Sequence, residues 1–370
     1  MKFTIERAAL LKVVAHVSRV VERRNTYPIL ANVLITAADG QITLRATDLD
    51  IEITESAQAI IDAPGKTTVP AGTLHEIVRK AAEGALTFTL GENDIVIKSG
   101  RSRFSLNILS PESFPDLKVG TFTHEFTMPA ADLARIIAKT AFAISTEETR
   151  YYLNGIFLHV DEDEKRMPVL RGVATDGHRM ARCECPAPDG SNGMPGIIVP
   201  RKAVGEISKL LDAGGDIKVE VSDTKIRIAI GGVSLLSKLI EGTFPDYKRV
   251  TPALSNTVAS VKVSDLRAAI DRVSVISSDR GGKAVKFKLE TGKLEISVTN
   301  PDHGDSVEDM DAIWEAEPFE IGFNARYAND ILGIVSGKQV SISVSEPGSP
   351  TRLFAEDDPS TLFVLMPMRI

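Results

Sequence analysis

Apolar residues recur three and four positions apart in six segments of the chain, and these segments form two sets of three similar sequences. The first set begins at Leu10, Leu133 and Leu266, so that its copies are 123 and 133 residues apart. Each copy is predicted to be a helix with one buried stripe. The aligned apolar residue four positions on is Val14, Ile137 or Ile270.

The second set of segments begins at Val69, Val199 and Phe323, with separations of 130 and 124 residues. Pro70 and Pro200 stand near the predicted first turn, where a missing N–H costs little. Apolar residues recur five and eight positions on, at Leu74, Val204 and Ala328 and at Ile77, Ile207 and Ile331. Because two independent sets agree, the sequence indicates one folding unit repeated three times.

Stretches of alternating apolar and polar residues separate the predicted helices and are typical of half-buried antiparallel strands. Examples are ALTFTL, NDIVIKS, DIKVEVS, TKIRIAI and QVSISVS. Phe114 in SFPDL and Phe244 in TFPDY each lie 45 residues beyond the start of the preceding second-set segment. We therefore expect α+β domains with two helices packed on antiparallel sheets, at residues 1–121, 122–253 and 254–370.

Composition is that of a globular protein too long for a single core, with 43% hydrophobic and 25% charged residues among 370. Glu6, Arg7 and Lys12 interrupt the first apolar positions, and no later run approaches a membrane span, so we expect a cytoplasmic protein. The two cysteines, Cys183 and Cys185, are predicted to be reduced thiols on a surface strand, with no metal site and no disulfide framework.

The net charge of −7 is distributed unevenly along the chain. The predicted helix windows carry 13 lysines and arginines against nine acidic residues, in residues 6–19, 73–83, 130–145, 201–212, 264–277 and 324–335. A relatively basic helix surface would suit phosphate groups, with an affinity that falls as salt rises. Ordinary solvation of mixed charges explains the same count, and both interpretations stay open at this stage.

The segment ATDGHRMA is the strongest candidate for catalysis, because Asp176 and His178 could pair as orienter and base. It contains no nucleophile, and ATDLD from Ala46 occupies the equivalent place in the first repeat, with Leu49 where the second repeat has Gly177. We therefore interpret Ala-Thr-Asp as a strand end and turn common to the repeats. The residues peculiar to the second copy would form a binding surface.

Four further motifs have simpler explanations. GKTT from Gly65 lacks the earlier glycine of a phosphate loop, and Gly281 with Gly282 lacks the spacing of a dinucleotide-binding turn. No cofactor is therefore expected. DEDEKR from Asp161 is predicted to be a solvated hairpin turn. The terminal FVLMPMRI is either the last core strand or an adaptable binding surface that uses Met366 and Met368.

Ordered matches along the whole chain resemble the beta subunit of bacterial DNA polymerase III, the family of replicative sliding clamps. They are MKFTIER, YPILANVLI, SGRSRFSL, RYYLNG, ATDGHRMA, IVPRK, FPDYKRV, IGFN and MPMRI. The resemblance implies a non-catalytic homodimer, closed head to tail into a ring, with helices lining the pore. It also implies sequence-independent contacts with double-stranded DNA, without catalytic residues, cofactor or metal.

The same resemblance implies two sets of binding residues. The DNA contacts would be Arg24, Tyr151, Tyr152, Arg201 and Lys202. A pocket between the second and third domains would bind short peptides of replicative and translesion polymerases, the clamp loader and mismatch-repair proteins. Its residues would be Arg150, Tyr152, Leu153, Thr175, Gly177, His178, Arg179, Met180, Pro245, Arg249, Val250, Asn324, Tyr327, Val364, Leu365, Met366, Pro367, Met368 and Arg369.

Three departures from the family pattern affect this transfer: Ile370 at the end of the chain, the long turn at 161–168, and the loosely matching region around Arg280. Two other functions remain as alternatives. One is a hydrolase or transferase built around Asp176 and His178. The other is a peptide-binding scaffold that never encloses DNA.

Overall fold

A computed structural model describes residues 1–22, 27–212, 214–277 and 284–369. The chain divides into two compact units, of which the first contains Met1–Ala131 and Gly205–Leu239. The second contains Asp132–Val204 and Ile240–Ile370. Within the described ranges, no helix is long and apolar enough to cross a membrane.

The described residues of the first unit form two antiparallel sheets. In order across the smaller sheet, the strands are β5 (Ile60–Ala63), β1 (Lys2–Glu6), β7 (Ala85–Leu90), β8 (Asp94–Ser99) and β9 (Ser102–Asn107). The larger sheet contains β10 (His124–Pro129), β15 (Asp216–Val221), β16 (Lys225–Ile230), β17 (Val233–Lys238), β4 (Ile51–Gln58), β3 (Gln41–Thr47), β2 (Asn32–Ala38) and β6 (Gly65–Pro70).

The described residues of the second unit also form a large and a small antiparallel sheet. Across the large sheet run β14 (Ile197–Pro200), β11 (Gly155–Glu162), β12 (Pro168–Thr175), β13 (Arg179–Pro186), β25 (Asp358–Leu365), β24 (Thr351–Ala355), β23 (Gln339–Ser343) and β18 (Val258–Lys262). The small sheet contains β21 (Gly304–Asp311), β20 (Lys293–Asn300), β19 (Ala284–Glu290) and β22 (Phe319–Asn324).

All six predicted helices are present, at α1 (Arg7–Val17), α2 (Ala71–Lys80), α3 (Ala130–Thr140), α4 (Arg201–Leu211), α5 (Val263–Val273) and α6 (Ala325–Leu332). The first-set helices begin three residues before the aligned leucines. Pro70 and Pro200 immediately precede α2 and α4 instead of lying inside the first turn. Every aligned apolar position is buried, which confirms the predicted stripes, at Val14, Ile137, Ile270, Leu74, Val204, Ala328, Ile77, Ile207 and Ile331.

The alternating stretches form strands as predicted, at β7, β8, β15, β16 and β23. The two equivalent phenylalanines are also buried alike, since Phe114 and Phe244 are each 6% exposed. The predicted hairpin turn separates β11 from β12, although Asp161 and Glu162 belong to the end of β11. Arg280, Gly281 and Gly282, which the sequence singled out, lie outside the described residues.

The cysteine prediction was wrong in one respect, because Cys183 and Cys185 are buried free thiols and are not on a surface strand. Their strand, β13, is paired on both sides, by β12 and β25, in the interior of the large sheet. Thr361 lies within 3.6 Å of the Cys183 sulfur. Burial raises the pKa of the Cys185 thiol to about 12, so this thiol stays protonated and unreactive at neutral pH.

Candidate functional site

The turn between β12 and β13 is held by hydrogen bonds from its side chains to the backbone of neighbouring residues in the same turn. Thr175 Oγ1 donates a hydrogen bond to the carbonyl of Arg179 at 2.7 Å and accepts one from the Gly177 N–H at 3.1 Å. Asp176 Oδ1 accepts from the N–H groups of His178 at 2.9 Å and Arg179 at 3.0 Å. This network keeps the exposed peptide of Gly177 and His178 in a fixed position.

The equivalent turn after β3 has the same hydrogen bonds, which confirms the repeat interpretation of Ala-Thr-Asp. Thr47 Oγ1 donates to the carbonyl of Ile51 at 2.8 Å and accepts from the Leu49 N–H at 3.0 Å. Leu49 has a φ of 81° and Gly177 a φ of 89°, so both copies need a left-handed residue here. A side chain at Gly177 would also approach Arg150, whose Nη1 lies 2.8 Å from the ideal Cβ position.

This geometry removes the basis for an Asp–His catalytic pair in the turn. The Asp176 carboxylate accepts the backbone N–H of His178 and, at 3.0 Å, the Nε of Arg179. The His178 ring instead stacks on Tyr327, with 6.0 Å between the ring centroids. The two side chains that could have formed a base and its orienter therefore have other partners.

Arg179 is buried at the centre of the site and connects the turn to α6. Its guanidinium pairs with Asp176 and with Asp330 of α6, and it donates to the carbonyl of Phe142 at 3.0 Å. It also lies over the rings of Tyr327 and Phe142, at 4.5 and 5.1 Å from the two centroids. Since each guanidinium nitrogen has a hydrogen-bond partner and two rings pack against the group, these contacts hold it in one position.

The C-terminal segment passes along this turn, and its first part is the last core strand, as one of the two interpretations predicts. Val364 and Leu365 are buried in β25, as a core strand requires. Beyond the strand, the Met366 N–H donates to the His178 carbonyl at 2.9 Å, and the Met366 side chain is 36% exposed. The Met368 N–H donates to Gly322 at 2.8 Å. Flexible methionine thus borders the turn on the surface.

A buried apolar cluster lies beneath these surface groups and consists of Leu153, Val173, Met180, Ile198, Phe244, Tyr247 and Val364. Tyr152 and Phe157 pack against it from partly exposed positions. Three predicted pocket residues, Leu153, Met180 and Val364, are thus no more than 3% exposed. They form the apolar base of the candidate site, below its exposed residues.

The segment that follows Phe244 lies at one side of this base and contains the predicted residues Pro245, Arg249 and Val250. Val250 is 50% exposed, whereas Tyr247 is buried. A cavity of about 430 Å³ opens beside Arg249 and Val250 and is also lined by Thr251–Ser255, Ser345, Ser349 and Pro350. These additional residues were not predicted, because nothing in the local sequence pattern places the SEPGSP loop beside residues 249–255.

Among the remaining predicted residues, Asn324 and Tyr327 are joined by the cap of α6, where the Asn324 side chain accepts the Tyr327 N–H at 3.2 Å. Pro367 and Met368 are partly buried and Arg369 is exposed. The structure therefore brings together the turn at 175–180, α6 and the end of the chain. All of these residues belong to the second unit.

Behind the segment with Arg249, a set of buried polar groups occupies the face of the large sheet. Arg171, only 4% exposed, donates through Nε to Glu184 at 2.7 Å and also pairs with Asp161. The Tyr247 hydroxyl lies 3.1 Å from Arg171 Nη1 and 3.1 Å from His159 Nε2. Burial lowers the pKa of His159 to about 4, so its ring is neutral at physiological pH.

The low pKa of His159 should make folding stability depend on pH. An unfolded histidine has a pKa near 6.5, so between roughly pH 6.5 and 4 only the unfolded chain takes up this proton. Stability should therefore fall as the pH is lowered through this window, by a total of about 3 kcal/mol for this residue. Urea unfolding monitored by Trp314, the only tryptophan, measures it in the second unit.

The matched comparison for this pH dependence uses His159→Gln and His303→Gln, because Gln does not titrate and His303 is exposed. The His159 variant should have a shallower decline of stability towards pH 4 than the wild type. The His303 variant should follow the wild type. Parallel curves for all three proteins would contradict a depressed pKa at His159.

The structure describes four of the five predicted DNA contacts. Arg24 lies outside the described residues. Tyr151 is 54% exposed and meets Tyr152 edge to face, with 5.8 Å between the centroids. The Arg201 N–H donates to the Asn154 carbonyl at 3.0 Å, which holds the start of α4 beside the two tyrosines. Arg201 and Lys202 are both exposed on the first turn of α4.

Comparison with known proteins gives consistent matches over the full length. Models described as the N-terminal, central and C-terminal domains of the DNA polymerase III beta subunit match residues 1–118, 127–246 and 248–369. The chain is 45% identical over 374 residues to the beta sliding clamp of Caulobacter vibrioides, and 35% identical over 375 residues to that of Escherichia coli. Each alignment covers 100% of both chains.

Solved structures give the same result. A beta subunit from Bartonella birtlesii, bound to griselimycin, has a TM-score of 0.95 and 46% identity, with 100% of both chains covered. The beta subunit from Caulobacter crescentus has a TM-score of 0.95 and 44% identity, also with complete coverage. At this identity, both the fold and the family follow from the comparison.

Proposed function

The chain belongs to the family of DNA polymerase III beta subunits, the beta sliding clamps, and from this premise we propose that two copies close head to tail around double-stranded DNA. The family has the three-domain clamp fold and is the non-catalytic processivity subunit of the polymerase. We propose domain bounds at 1–121, 122–253 and 254–370, and action in the cytoplasm.

The observation that carries the DNA proposal is the repeated pair of helices with exposed cations. Lys12, Arg79, Lys80, Arg201 and Lys202 are exposed on α1, α2 and α4, although the whole chain has a net charge of −7. Phosphate contacts from such side chains are independent of sequence and weaken with salt, as sliding requires. Tyr151 and Tyr152 beside Arg201 would add contacts, and Arg24 belongs to the same proposed set.

The ring proposal is supported by two sheet edges of opposite charge. β9 is an edge strand of the small sheet of the first unit. Residues 100–107, which include β9, contain Arg101 and Arg103 and no acidic residue. β21 ends the small sheet of the second unit and contains Asp305, Glu308, Asp309 and Asp311 without any basic residue. An unpaired edge is a template for another strand, so β9 of one copy would meet β21 of the other.

We further propose that the surface around Gly177, His178 and Met366 binds short peptides of polymerases, the clamp loader and mismatch-repair proteins. An apolar base surrounded by partly exposed tyrosines and by exposed methionine and arginine suits peptides with a glutamine and two apolar side chains. The Bartonella birtlesii relative is bound to griselimycin. Contacts of this size give micromolar affinity, which allows partners to exchange.

The experiment that tests enclosure compares nicked circular DNA with the same DNA after linearisation. The protein is loaded on the circle with a bacterial clamp loader and ATP, and then separated by gel filtration. We expect retention on the circle for minutes and loss within seconds of linearisation, because only topology holds the ring. Equal loss from both DNAs would contradict the clamp and favour a scaffold that never encloses DNA.

A further inference from the structure

Residues 245–250 form one side of the proposed peptide site, which we call its wall. Tyr247 belongs to this wall, yet its side chain points into the protein. It begins the short helical turn Tyr247–Val250 and is 5% exposed. Pro245, Arg249 and Val250, close to it in sequence, are proposed peptide contacts. The hydroxyl lies 3.1 Å from both Arg171 Nη1 and His159 Nε2, on two strands of the large sheet. The residue thus joins the wall to the sheet.

The hydrogen-bond directions at Tyr247 follow from the charge state of His159. Because the low pKa keeps this ring neutral, only one ring nitrogen has a proton. His159 Nδ1 lies 3.3 Å from the Val160 carbonyl, which can only accept, so the proton is on Nδ1. Nε2 therefore accepts from the Tyr247 O–H, while the Tyr247 oxygen accepts from Arg171. The Tyr247 hydroxyl thus donates one hydrogen bond and accepts another.

Arg171 is a rigid anchor for this hydroxyl. Its guanidinium donates to Glu184 Oε2 at 2.7 Å and to the Glu162 carbonyl at 3.0 Å, and it pairs with Asp161. The same Asp161 accepts a second wall residue, Lys248, at 2.7 Å. The wall is thereby fastened to the sheet at two adjacent points, of which only the one through Tyr247 is buried.

We infer that Tyr247 is a positioning residue for peptide binding, whose hydroxyl, held by Arg171 and His159, fixes the wall at residues 245–250 against the apolar base. This inference rests on the proposed peptide site. A wall that is already ordered loses no conformational freedom on binding, and this preorganisation increases affinity. Without the hydroxyl, the ring would still fill its place beside Phe244, but the wall would lose its buried hydrogen bonds to the sheet.

The experiment replaces Tyr247 by Phe, which keeps the ring and removes the hydroxyl. The probe is a fluorescein-labelled hexapeptide that contains one glutamine and two leucines, measured by fluorescence anisotropy on the full-length protein. We expect affinity to fall about fivefold to tenfold, mainly through faster dissociation. The matched control is Thr47→Val in the first unit, which removes a buried hydroxyl that also makes two hydrogen bonds. The control should bind like the wild type.

A double-mutant cycle with Val250→Ala separates positioning from general destabilisation. If Tyr247 acts through the wall, the effect of Tyr247→Phe should shrink to less than half when the exposed Val250 side chain is absent. Additive losses would show that the hydroxyl acts on affinity independently of the wall, and would overturn the inference. So would equal affinities of the wild type and Tyr247→Phe, in which case the peptide site itself stands. A wild-type protein that does not bind the peptide would contradict the site and the inference together.

Discussion

Replacing Arg179 by methionine should destabilise the second unit by about 3 kcal/mol and weaken peptide binding at least tenfold. The substitution leaves an aliphatic side chain of similar length and removes the charge shared by Asp176 and Asp330. It also leaves the Phe142 carbonyl without this donor. Because Asp330 is partly exposed, water recovers part of the loss, so the estimate lies at the lower end of values for broken buried pairs.

The effect on binding should follow from the loss of fixed geometry. Tyr327 packs on one face of the guanidinium and on the His178 ring, so all three groups hold one another in place. Without Arg179, the turn remains closed by Asp176, but it loses its ion pair with α6, and only the stacking of His178 on Tyr327 still connects the two. Equilibrium unfolding in urea, monitored by Trp314 fluorescence, measures stability, and anisotropy of the labelled hexapeptide measures affinity.

The matched control for Arg179→Met is Arg182→Met on the same strand. Arg182 is also largely buried, but its nearest carboxylate, Glu184, lies 3.9 Å away and binds Arg171 more closely. Its Nε has no hydrogen-bond partner. Removing this poorly compensated charge should change stability by less than 1 kcal/mol. Similar losses for both variants would contradict the specific role of Arg179.

The double variant Arg101→Glu, Arg103→Glu should be a monomer at concentrations where we expect the wild type to form the proposed dimer. It should also leave nicked circular DNA as quickly as linear DNA. The changes put one negative charge on β9 and one in the turn just before it, opposite the four carboxylates proposed to face this edge on β21. Like charges at an interface cost several kcal/mol, so the dimer dissociation constant should rise at least 100-fold. Sedimentation velocity and the circle-retention assay measure the two outcomes.

The reciprocal variant Asp305→Lys, Asp309→Lys, Asp311→Lys changes the net charge of β21 from −4 to +2 and should fail to dimerise for the same reason. A mixture of the two variants should form heterodimers, because both of its interfaces then join edges of opposite charge. Lys165→Glu with Arg166→Glu makes an equal charge change in the β11–β12 hairpin and should leave the dimer intact. If the mixture stayed monomeric, or if the β9 variant stayed dimeric, these edges could not be the subunit interface.

The sequence by itself determined the repeated architecture. Helix and strand periodicity depend on local spacing, so all six helices, their buried stripes and the alternating strands were predictable from the chain. The turn after Ala-Thr-Asp was also predictable, because its hydrogen bonds join residues no more than four positions apart. The sequence also argued against a catalytic Asp176–His178 pair, because the segment contains no nucleophile and the first repeat has the equivalent Ala-Thr-Asp without the histidine.

Only the tertiary structure decided which residues are exposed on the surface and which form the buried apolar base of the proposed peptide site. Cys183 and Cys185 are buried because β25, from the far end of the chain, pairs with their strand, and no local pattern reports that pairing. The loop containing Ser345 and Ser349 reaches the proposed site for the same reason. His159, Arg171 and Tyr247 lie up to 88 residues apart in sequence, so the network that holds the wall exists only once the strands and the following segment have packed.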